Sequence, residues 1–292
     1  MDAVITYVDG NDPLWQEDYC RAVNVPALTK RYRDWGTLKY LFRGIETCLP
    51  YVDTIHLVVS RESQVPRWVN RSTVHVVLHE EIIPREYLPT FNSTAIEMFM
   101  QRISGLQEQF LYFNDDMFPV LPCAHEDFFP GGMAAMAFSK GLFTNGLYRA
   151  QTKNSDTLAR RAAGLKPHLG YIRPQHTCSP MLRSVMEEAF AKAEPELLGT
   201  ISPLRERWNL NQYYFLDYMF YTGRAVNRRL SNKHLSLALT SPGKITAFLE
   251  APSAKLVCIN DVRLPREKEE SVREAMLGGF EKRFPQKSRF EI

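Results

Sequence analysis

The sequence comprises 292 residues, of which 45% are hydrophobic and 24% are charged, as is usual for a globular protein of one or two domains. Its 36 basic and 33 acidic residues leave a formal net charge of +3, without the strong basic excess that marks a nucleic-acid-binding protein. No run approaches the roughly 18 apolar residues of a membrane span, and no signal-peptide pattern opens the chain. We therefore expect no nucleic-acid partner and a cytoplasmic location, with peripheral association at the inner membrane as an alternative.

Four short segments are predicted as buried strands, because they are rich in Val, Ile, Leu or aromatic residues and end in polar or turn residues. They are Ala3–Val8, Thr54–Ser60, Thr73–Leu78 and Phe110–Phe113. Helical patterns lie between them. Strands that alternate with helices predict an α/β fold with a mostly parallel sheet. Such sheets bind ligands beyond the carboxyl ends of their strands.

Two helices are predicted in the amino-terminal half. The first follows Asp34, a candidate N-cap, and ends before Pro50. The second runs from about Thr94 to Ile103 and opens with a capping-box pattern, in which Thr94 and Glu97 satisfy the first backbone donors of the helix. This pattern explains Glu97 without any substrate.

The carboxyl-terminal half is predicted to be mainly helical. Residues 119–166 offer no sustained period, which fits a mobile flap or a long loop. Helices are then predicted over Pro180–Lys192, Leu210–Tyr221 and Pro265–Phe284. The apolar residues of the last helix recur every four positions, so we expect it to pack on the domain, with membrane or partner docking as the alternative.

The five cysteines are widely separated and form no C-x-x-C pair, which argues against a disulfide framework and against a cysteine zinc site. We expect all five thiols to be reduced. They are Cys20, Cys48, Cys123, Cys178 and Cys258.

Two predicted strands end in acidic turns. The first strand leads into Asp9-Gly10-Asn11-Asp12, and the fourth leads into Asn114-Asp115-Asp116. If both strands are parallel members of one sheet, the two turns lie at the same edge. Mg²⁺ prefers such oxygen ligands and commonly uses one or two carboxylates together with substrate phosphates. The alternative is an ordinary turn, because Asn and Asp side chains bond their own backbone.

Phosphate and proton chemistry have separate candidates. Arginine matches two phosphate oxygens through its planar fork. His176 lies between two prolines in "RPQHTCSP", a loop in which a rigid segment could present an imidazole to accept a proton from a hydroxyl. The alternative for His176 is a structural role. The arginines that suit a phosphate by position are Arg31, Arg33, Arg173, Arg205 and Arg207.

Four blocks of this sequence together resemble the Stealth proteins, which include bacterial capsular polysaccharide phosphotransferases and the catalytic subunit of an animal N-acetylglucosamine-1-phosphotransferase. The second block is long and highly specific, and the match spans nearly the whole chain. The blocks are "DAVITYVDGNDP", "RYRDWGTLKYLFRGIETCLPYVDTIHLVVS" through "LPTFNSTAIE" to "FLYFNDDMF", "HTCSPMLRSVMEEAF" with "LRERWNLNQYYF", and "CINDV" with the terminal helix.

The resemblance implies transfer of a sugar 1-phosphate, commonly N-acetylhexosamine 1-phosphate, from a UDP-sugar donor to a hydroxyl of a saccharide acceptor. It implies Mg²⁺ or Mn²⁺ at Asp115, Asp116 and Asp261. His176 becomes the base, Arg205 a phosphate-binding residue, and Glu97 an active-site residue in addition to a cap, with Asp116 shared between metal binding and catalysis. The residues expected to contact the donor are Asp9, Gly10, Asn11, Arg33, Asn92 and Asn114.

The resemblance also implies one catalytic domain with a Rossmann-like, glycosyltransferase-A-like sheet and a helical C-terminal part. We predict a nucleotide-binding core over 1–118, a flap or insertion over 119–170, and a helical part over 171–292 that completes the active site. Two other functions stay open from the residues. One is a metal-dependent glycosyltransferase, which breaks the bond at the sugar carbon and releases UDP. The other is a carbohydrate-binding module without catalysis.

Overall fold

A computed structural model describes residues 1–24, 32–260, 264 and 266–292. Two candidates from the sequence, Arg31 and Asp261, lie outside the described residues. The described strands are β1 (Asp2–Thr6), β2 (Ile55–Val59), β3 (Val74–Leu78), β4 (Gln109–Asn114), β5 (Met117–Pro119), β6 (Ala134–Ala135), β7 (Phe138–Gly141), β8 (Tyr171–Pro174), β9 (Ser179–Leu182), β10 (Ala225–Val226), β11 (Asn232–Ser236) and β12 (Leu256–Asn260).

Helices flank these strands, and short 3-10 turns connect several of them. The described α-helices are α1 (Pro13–Val23), α2 (Leu38–Cys48), α3 (His79–Ile82), α4 (Ser93–Glu97), α5 (His125–Phe128), α6 (Leu147–Ala162), α7 (Arg183–Lys192), α8 (Glu194–Leu198), α9 (Tyr213–Tyr221), α10 (Pro242–Glu250) and α11 (Arg266–Arg283).

The largest sheet among the described residues has five strands in the order β3-β2-β1-β4-β9, and it is mixed and mostly parallel. Strand β9 pairs antiparallel with β4, so that Phe110 faces Met181. All four segments predicted as strands are strands of this sheet, and β1 and β2 are buried along their whole length. The predicted α/β fold with a mostly parallel sheet is therefore confirmed.

Two predicted helix starts were wrong. The side chain of Asp34 does not cap α2, whose N-cap position is Thr37, and it instead accepts a hydrogen bond from the backbone N–H of Gly36 at 2.8 Å. Helix α4 is capped by Asn92 and not by Thr94. The capping-box interpretation of Glu97 consequently fails, which leaves its buried carboxylate to be explained by other contacts.

Helix α6 lies in the segment that was predicted to be a flap or a long loop. The face that it buries is largely polar and includes Gln151, Thr152, Ser155 and Asp156. A search for apolar periodicity cannot find such a face, because the buried positions carry hydrogen-bonding side chains. The predicted division into core, flap and helical part stays a prediction, although residues 171–292 also carry strands β8 to β12.

The described chain forms two compact units, each assembled from three segments. The first unit contains Met1–Val4, Val77–Tyr112 and Glu126–Leu230, and the second contains Ile5–Val76, Phe113–His125 and Ser231–Ile292. In the second unit, α11 packs against α10 and buries Val272, Met276 and Phe280, as predicted. Among the described residues, no helix combines the length and the apolar composition that crossing a membrane requires.

A buried carboxyl group lies inside the first unit. Asp217 of α9 is fully buried, and neither of its oxygens accepts a hydrogen bond within the described part of the chain. Burial, followed by the nearby carboxylate of Asp156, raises the pKa of Asp217 well above the usual carboxyl value. The Asp156 carboxylate accepts hydrogen bonds from the backbone N–H of Ile172 and from the Tyr221 hydroxyl.

We expect Asp217→Asn to flatten the dependence of stability on pH. The folded chain retains the Asp217 proton above the ordinary carboxyl pKa of 3.8, at which the unfolded chain releases it. The free energy of unfolding therefore falls as pH rises through this window, and removing the carboxyl removes that fall. Urea unfolding at about pH 5 and about pH 8 measures the slope. The exposed Glu194→Gln is the matched control, and an unchanged slope in Asp217→Asn would contradict the prediction.

Candidate active site

The loop after β1 is fixed by a glutamine from a distant part of the second unit. The Gln64 side chain accepts from the backbone N–H of Asp9 at 2.7 Å, and its amide nitrogen donates to the Asp12 carboxylate at 2.8 Å. Asp12 also caps α1 through the backbone N–H of Leu14. The Asp9 carboxylate accepts from the backbone and side-chain nitrogens of Asn11 at 2.8 and 3.1 Å. Asp12 thus has a structural role, while half-buried Asp9 lies at the surface of this loop.

Gly10 is required by a close backbone approach. Its N–H donates to the carbonyl oxygen of Tyr32 at 2.8 Å, and a Cβ at this position would lie 2.3 Å from that oxygen. Only glycine leaves room for this contact. The structure therefore gives Gly10 a role in joining the β1 loop to the chain at Tyr32, and the predicted donor contact remains a proposal.

Three carboxylates act electrostatically on the hydroxyl of Tyr7, the residue that follows β1. Burial raises the pKa of Tyr7, and the negative charges of Asp34, Asp9 and Asp115 raise it further. The pKa of Asp34 is also raised, first by burial and then by Asp9, although hydrogen bonds from Gly36 and Tyr7 oppose the shift. The structure thus brings the acidic turn after β1 and the turn after β4 into one region of negative potential.

Strand β12 holds the turn that carries Asp115 and Asp116. The backbone N–H of Ile259 donates to the carbonyl oxygen of Asp116 at 2.8 Å, and Cys258 pairs in register with Met117 of β5. The Cys258 thiol lies 3.5 Å from an Asp116 carboxylate oxygen. Burial and this carboxylate raise the pKa of Cys258, so the thiol stays protonated. The blocks "FNDDMF" and "CINDV" therefore adjoin, and the predicted ligand Asp261 follows β12 outside the described residues.

Arg33 lies beside the acidic region in sequence, next to Asp34. Its guanidinium stacks on the Trp35 ring at 4.7 Å and donates to the Glu269 carboxylate at 2.8 Å. Its other terminal nitrogen, Nη1, is buried without a hydrogen-bond partner among the residues that the structure describes. One side of the guanidinium is thus committed to α11, and Nη1 has a donor capacity that no described residue uses.

In the first unit, the buried carboxylate of Glu97 is held at the start of α9. It accepts hydrogen bonds from the backbone N–H of Gln212 at 2.8 Å and from the Tyr112 hydroxyl at 3.3 Å. The Gln212 amide, oriented with its nitrogen toward Glu97, donates to both carboxylate oxygens. Burial nevertheless raises the pKa of Glu97 to about 7, and these donors, together with Arg205 and Ser93, only moderate the shift.

The structure links Arg205 to Glu97 through Ser93, because the exposed Arg205 guanidinium donates to the Ser93 hydroxyl. Ser93 in turn contributes a hydrogen bond to Glu97. Asn92 holds the loop that precedes Arg205. Its amide donates to the carbonyl oxygens of Ser202 and Leu204 at 3.1 and 3.2 Å.

Asn92 is fully buried, and its amide oxygen is committed to the Thr94 hydroxyl at 2.8 Å. Both ends of its amide are therefore engaged within the protein. The structure gives Asn92 a role in positioning the loop that carries Arg205, and its direct contact with the donor stays a prediction.

His176 faces the same helix start. Its Nδ1 lies 3.1 Å from the Tyr213 hydroxyl, which also receives a hydrogen bond from the Tyr148 hydroxyl at 3.1 Å. Tyr213 directly follows Gln212, the partner of Glu97. Two adjacent residues at the start of α9 therefore contact two predicted site residues of the first unit, Glu97 and His176.

Sequence reasoning missed the residues that hold the site. Tyr7 looked like one more strand residue, and Asp34 looked like a helix cap. Tyr213 belongs to the predicted helix Leu210–Tyr221, whose aromatic residues are typical of a core. None of these carries a local signal, because their partners lie far away in the sequence. The turn residue Asn114 is half-buried at the end of β4, where it was expected.

Residues 31–136 match the model of conserved region 2 of the Stealth proteins. Among solved structures, the chain is similar to the galactosyltransferase LgtC in complex with donor and acceptor sugar analogs. That similarity has a TM-score of 0.46 and 10% identity, and it covers 96% of this chain and 95% of LgtC. At these values it says nothing about the activity of this chain.

Two curated relatives align along essentially their whole length. The capsular polysaccharide phosphotransferase WcwK of Streptococcus pneumoniae is 31% identical, over 100% of this chain and 99% of WcwK. The receptor polysaccharide phosphotransferase WefC of Streptococcus oralis is also 31% identical, with the same coverage. The chain therefore belongs to the Stealth family, and it is an enzyme of the phosphotransferase class.

Proposed function

We propose that this enzyme transfers a sugar 1-phosphate from a UDP-sugar to a hydroxyl of a saccharide acceptor, in capsular or exopolysaccharide synthesis. The transferred group is N-acetylhexosamine 1-phosphate, the product is a phosphodiester, and the by-product is UMP. The names of the relatives support phosphoryl transfer to a polysaccharide. One structural observation carries the proposal for this chain: Asp34 is hydrogen-bonded to the buried Tyr7 hydroxyl, and the charges of Asp9 and Asp115 act on the same hydroxyl.

Burial raises the pKa of Asp34, and the nearby negative charge of Asp9 raises it further. A divalent cation would offset this concentration of negative charge. The carboxylate oxygens of Asp115 and Asp116 are hard ligands and fit Mg²⁺ or Mn²⁺. The protonated thiol of Cys258 is a poor ligand for either ion. A bound cation would neutralise charge on the departing phosphate, and Asp261 is the third proposed ligand.

The Arg33 nitrogen Nη1 supports an additional phosphate contact, because a buried guanidinium N–H without a partner costs free energy that a phosphate oxygen restores. We assign it to the donor diphosphate. Asp9, Gly10 and Asn11 form the loop proposed to border the nucleotide, and Asn114 completes the acidic turn.

His176 is the proposed general base. The acceptor oxygen attacks the β-phosphorus of the donor and gives its proton to His176, while the bond between the β-phosphorus and the bridging oxygen breaks and UMP leaves. To accept the proton at Nε2, His176 must carry its own proton on Nδ1. The Nδ1–H group then donates a hydrogen bond to the Tyr213 hydroxyl, and the 3.1 Å separation of Nδ1 and this oxygen allows it. Tyr213 and Tyr148 then fix the tautomer and the orientation of the ring.

Glu97 and Arg205 are proposed to act as a linked pair. With a pKa of about 7, Glu97 exchanges a proton readily near neutral pH. The exposed Arg205 is proposed to bind the transferred phosphate, since its planar fork matches two phosphate oxygens. One terminal guanidinium nitrogen of Arg205 donates to the Ser93 hydroxyl, which ties the side chain to α4.

The bond that breaks separates this function from a glycosyltransferase. Attack at phosphorus leaves the anomeric C–O bond intact, so the product contains the β-phosphate of the donor as a phosphodiester. We expect incubation with UDP-N-acetylhexosamine, a divalent cation and a capsule-type oligosaccharide to release UMP, resolved from UDP by ion-exchange chromatography. Stoichiometric UDP with a phosphorus-free product would refute the phosphotransferase mechanism.

A separate prediction concerns the cation. A cation at about 100 times its Kd stabilises the folded chain by ~2.7 kcal/mol, which raises the melting temperature by several degrees for a chain of this size. We expect this rise with Mg²⁺ or Mn²⁺, and we expect Asp116→Asn to remove both the rise and turnover. Asp53→Asn, an exposed change of the same kind before β2, serves as the control. An Asp115/Asp116 double variant that keeps full activity would eliminate the metal assignment.

Another prediction tests the transfer of the proton to His176. His176→Ala should lower kcat by roughly 10²–10⁴-fold with little change in KM for the donor, as expected for loss of a general base. Tyr213→Phe should lower kcat less than His176→Ala does, and it should shift the acidic limb of the pH–rate profile. The His176 ring then loses its hydrogen-bond partner but can still accept a proton. The exposed His234→Ala is the matched control. An unaltered rate in His176→Ala would return His176 to a structural role.

A further inference from the structure

Basic residues are concentrated in one part of the chain, although the whole protein is nearly neutral. Between Asp127 and Glu187 there is a single acidic residue, Asp156, and it is buried. The same stretch contains eight lysines and arginines: Lys140, Arg149, Lys153, Arg160, Arg161, Lys166, Arg173 and Arg183. All of these residues belong to the first unit, so this stretch of the unit carries a local excess of positive charge that the net charge of the protein conceals.

Exposed apolar side chains lie within this basic stretch. Leu142 is 63% exposed, Phe143 is 74% exposed and Leu169 is 89% exposed. Strands β7 and β8 pair antiparallel with Gly141 opposite Tyr171. Residues 142–143 leave β7 at the same end at which residue 169 approaches β8. The three side chains therefore belong to one end of this two-stranded sheet, which we call the apolar tip.

The apolar tip is held in place by specific contacts. The Tyr171 hydroxyl donates to the carbonyl oxygen of Phe143 at 3.0 Å. Gly141 makes this possible, because a Cβ there would lie 2.5 Å from the Tyr171 ring. The backbone N–H of Gly170 is bonded to the His168 ring at 3.0 Å. The exposure of the tip is thus a property of an ordered structure that presents large apolar groups to solvent.

Three exposed basic residues are tied to the same end. Lys140 lies on β7 directly before the tip, and the carbonyl oxygen of Lys166 accepts from the Arg160 guanidinium at 3.4 Å. The Arg207 guanidinium reaches the carbonyl oxygen of Thr144 at 3.4 Å and is followed by Trp208, which is 55% exposed. We call Lys140, Lys166 and Arg207 the basic flank. An exposed tryptophan beside apolar and basic groups is typical of proteins that lie at a membrane interface.

The terminal helix does not offer such a surface. The apolar residues of α11 are buried in the second unit, and Gly279 packs against Leu249 of α10. Membrane docking through that helix, the alternative raised by its sequence, would require it to leave α10. The apolar tip needs no rearrangement, because its side chains are already exposed.

We propose that the apolar tip and basic flank dock the enzyme on an anionic phospholipid surface. Leu142, Phe143 and Leu169 insert at the level of the headgroups, while the basic flank attracts the negative charge of the lipid. The positive charge of the basic flank favours an anionic lipid surface, since an apolar patch beside cationic side chains binds an anionic bilayer better than a neutral one. This docking goes beyond the proposed reaction and does not depend on its donor or acceptor.

Vesicle co-sedimentation of the full chain tests the docking. The probes are vesicles of equal parts phosphatidylglycerol and phosphatidylcholine, and vesicles of phosphatidylcholine alone. We expect binding to the first that weakens as salt is raised to roughly 0.5 M, because screening shortens the range of the attraction. The triple variant Leu142→Ser, Phe143→Ser, Leu169→Ser should partition at least about tenfold more weakly. Leu239→Ser, which replaces an equally exposed leucine of the second unit, should bind like the parent.

A charge variant completes the test. Lys140→Glu with Lys166→Glu should weaken binding to the anionic vesicles, whereas Lys233→Glu with Lys244→Glu, two exposed lysines of the second unit, should not. Equal binding by the parent and the triple serine variant would overturn the proposal, as would failure of the parent to bind anionic vesicles. If gel filtration shows a parent dimer that the triple variant dissociates, without vesicle binding, the tip is an interface between copies and the membrane proposal is wrong. The assay uses no nucleotide sugar, so its outcome is independent of the proposed reaction.

Discussion

The concentration of negative charge near Tyr7 is the constraint on which the candidate site of the second unit depends. The charges of Asp34, Asp9 and Asp115 all act on the buried Tyr7 hydroxyl, and holding like charges near one another costs electrostatic energy. The fold meets this cost with fixed backbone contacts. Gln64 holds the loop after β1, and strand β12 holds the turn after β4. A divalent cation bound in this region would offset the negative charge that the fold concentrates there, and it would allow an anionic diphosphate to approach.

The first unit follows a different principle, in which one helix start arranges several groups. Gln212 holds the Glu97 carboxylate and Tyr213 holds the His176 ring, although the two residues are adjacent in the chain. Rotation or shift of α9 would therefore disturb both groups together. Asn92 adds a third connection, since it ties α4 to the loop of Arg205. Buried hydrogen bonds of this kind cost free energy when one partner is removed, so they favour a single arrangement.

The sequence was sufficient for features that depend on local composition and was insufficient for those that depend on distant partners. Buried apolar runs identified β1 to β4, and the acidic turns after two of them were found for the same reason. Helix α6 escaped because its buried face is polar. Glu97 was taken for a cap because Thr94 stands three residues before it. Its actual partner, Gln212, is 115 residues away, and no local pattern reports such a contact.

Burial alone does not distinguish a residue that acts from a residue that positions. Asn92 caps α4 and Glu97 is its last residue, and both side chains are buried. The Asn92 amide satisfies its donors and its acceptor within the protein, and it carries no charge that can change. Glu97 also has hydrogen-bond donors, but burial outweighs them and brings its pKa to about 7. Its charged and neutral forms are therefore close in free energy near neutral pH, and only such a group can respond to a substrate by changing its protonation. The physical difference between the two side chains is the balance between desolvation and hydrogen bonding, which depends on the folded structure and has no signature in the sequence.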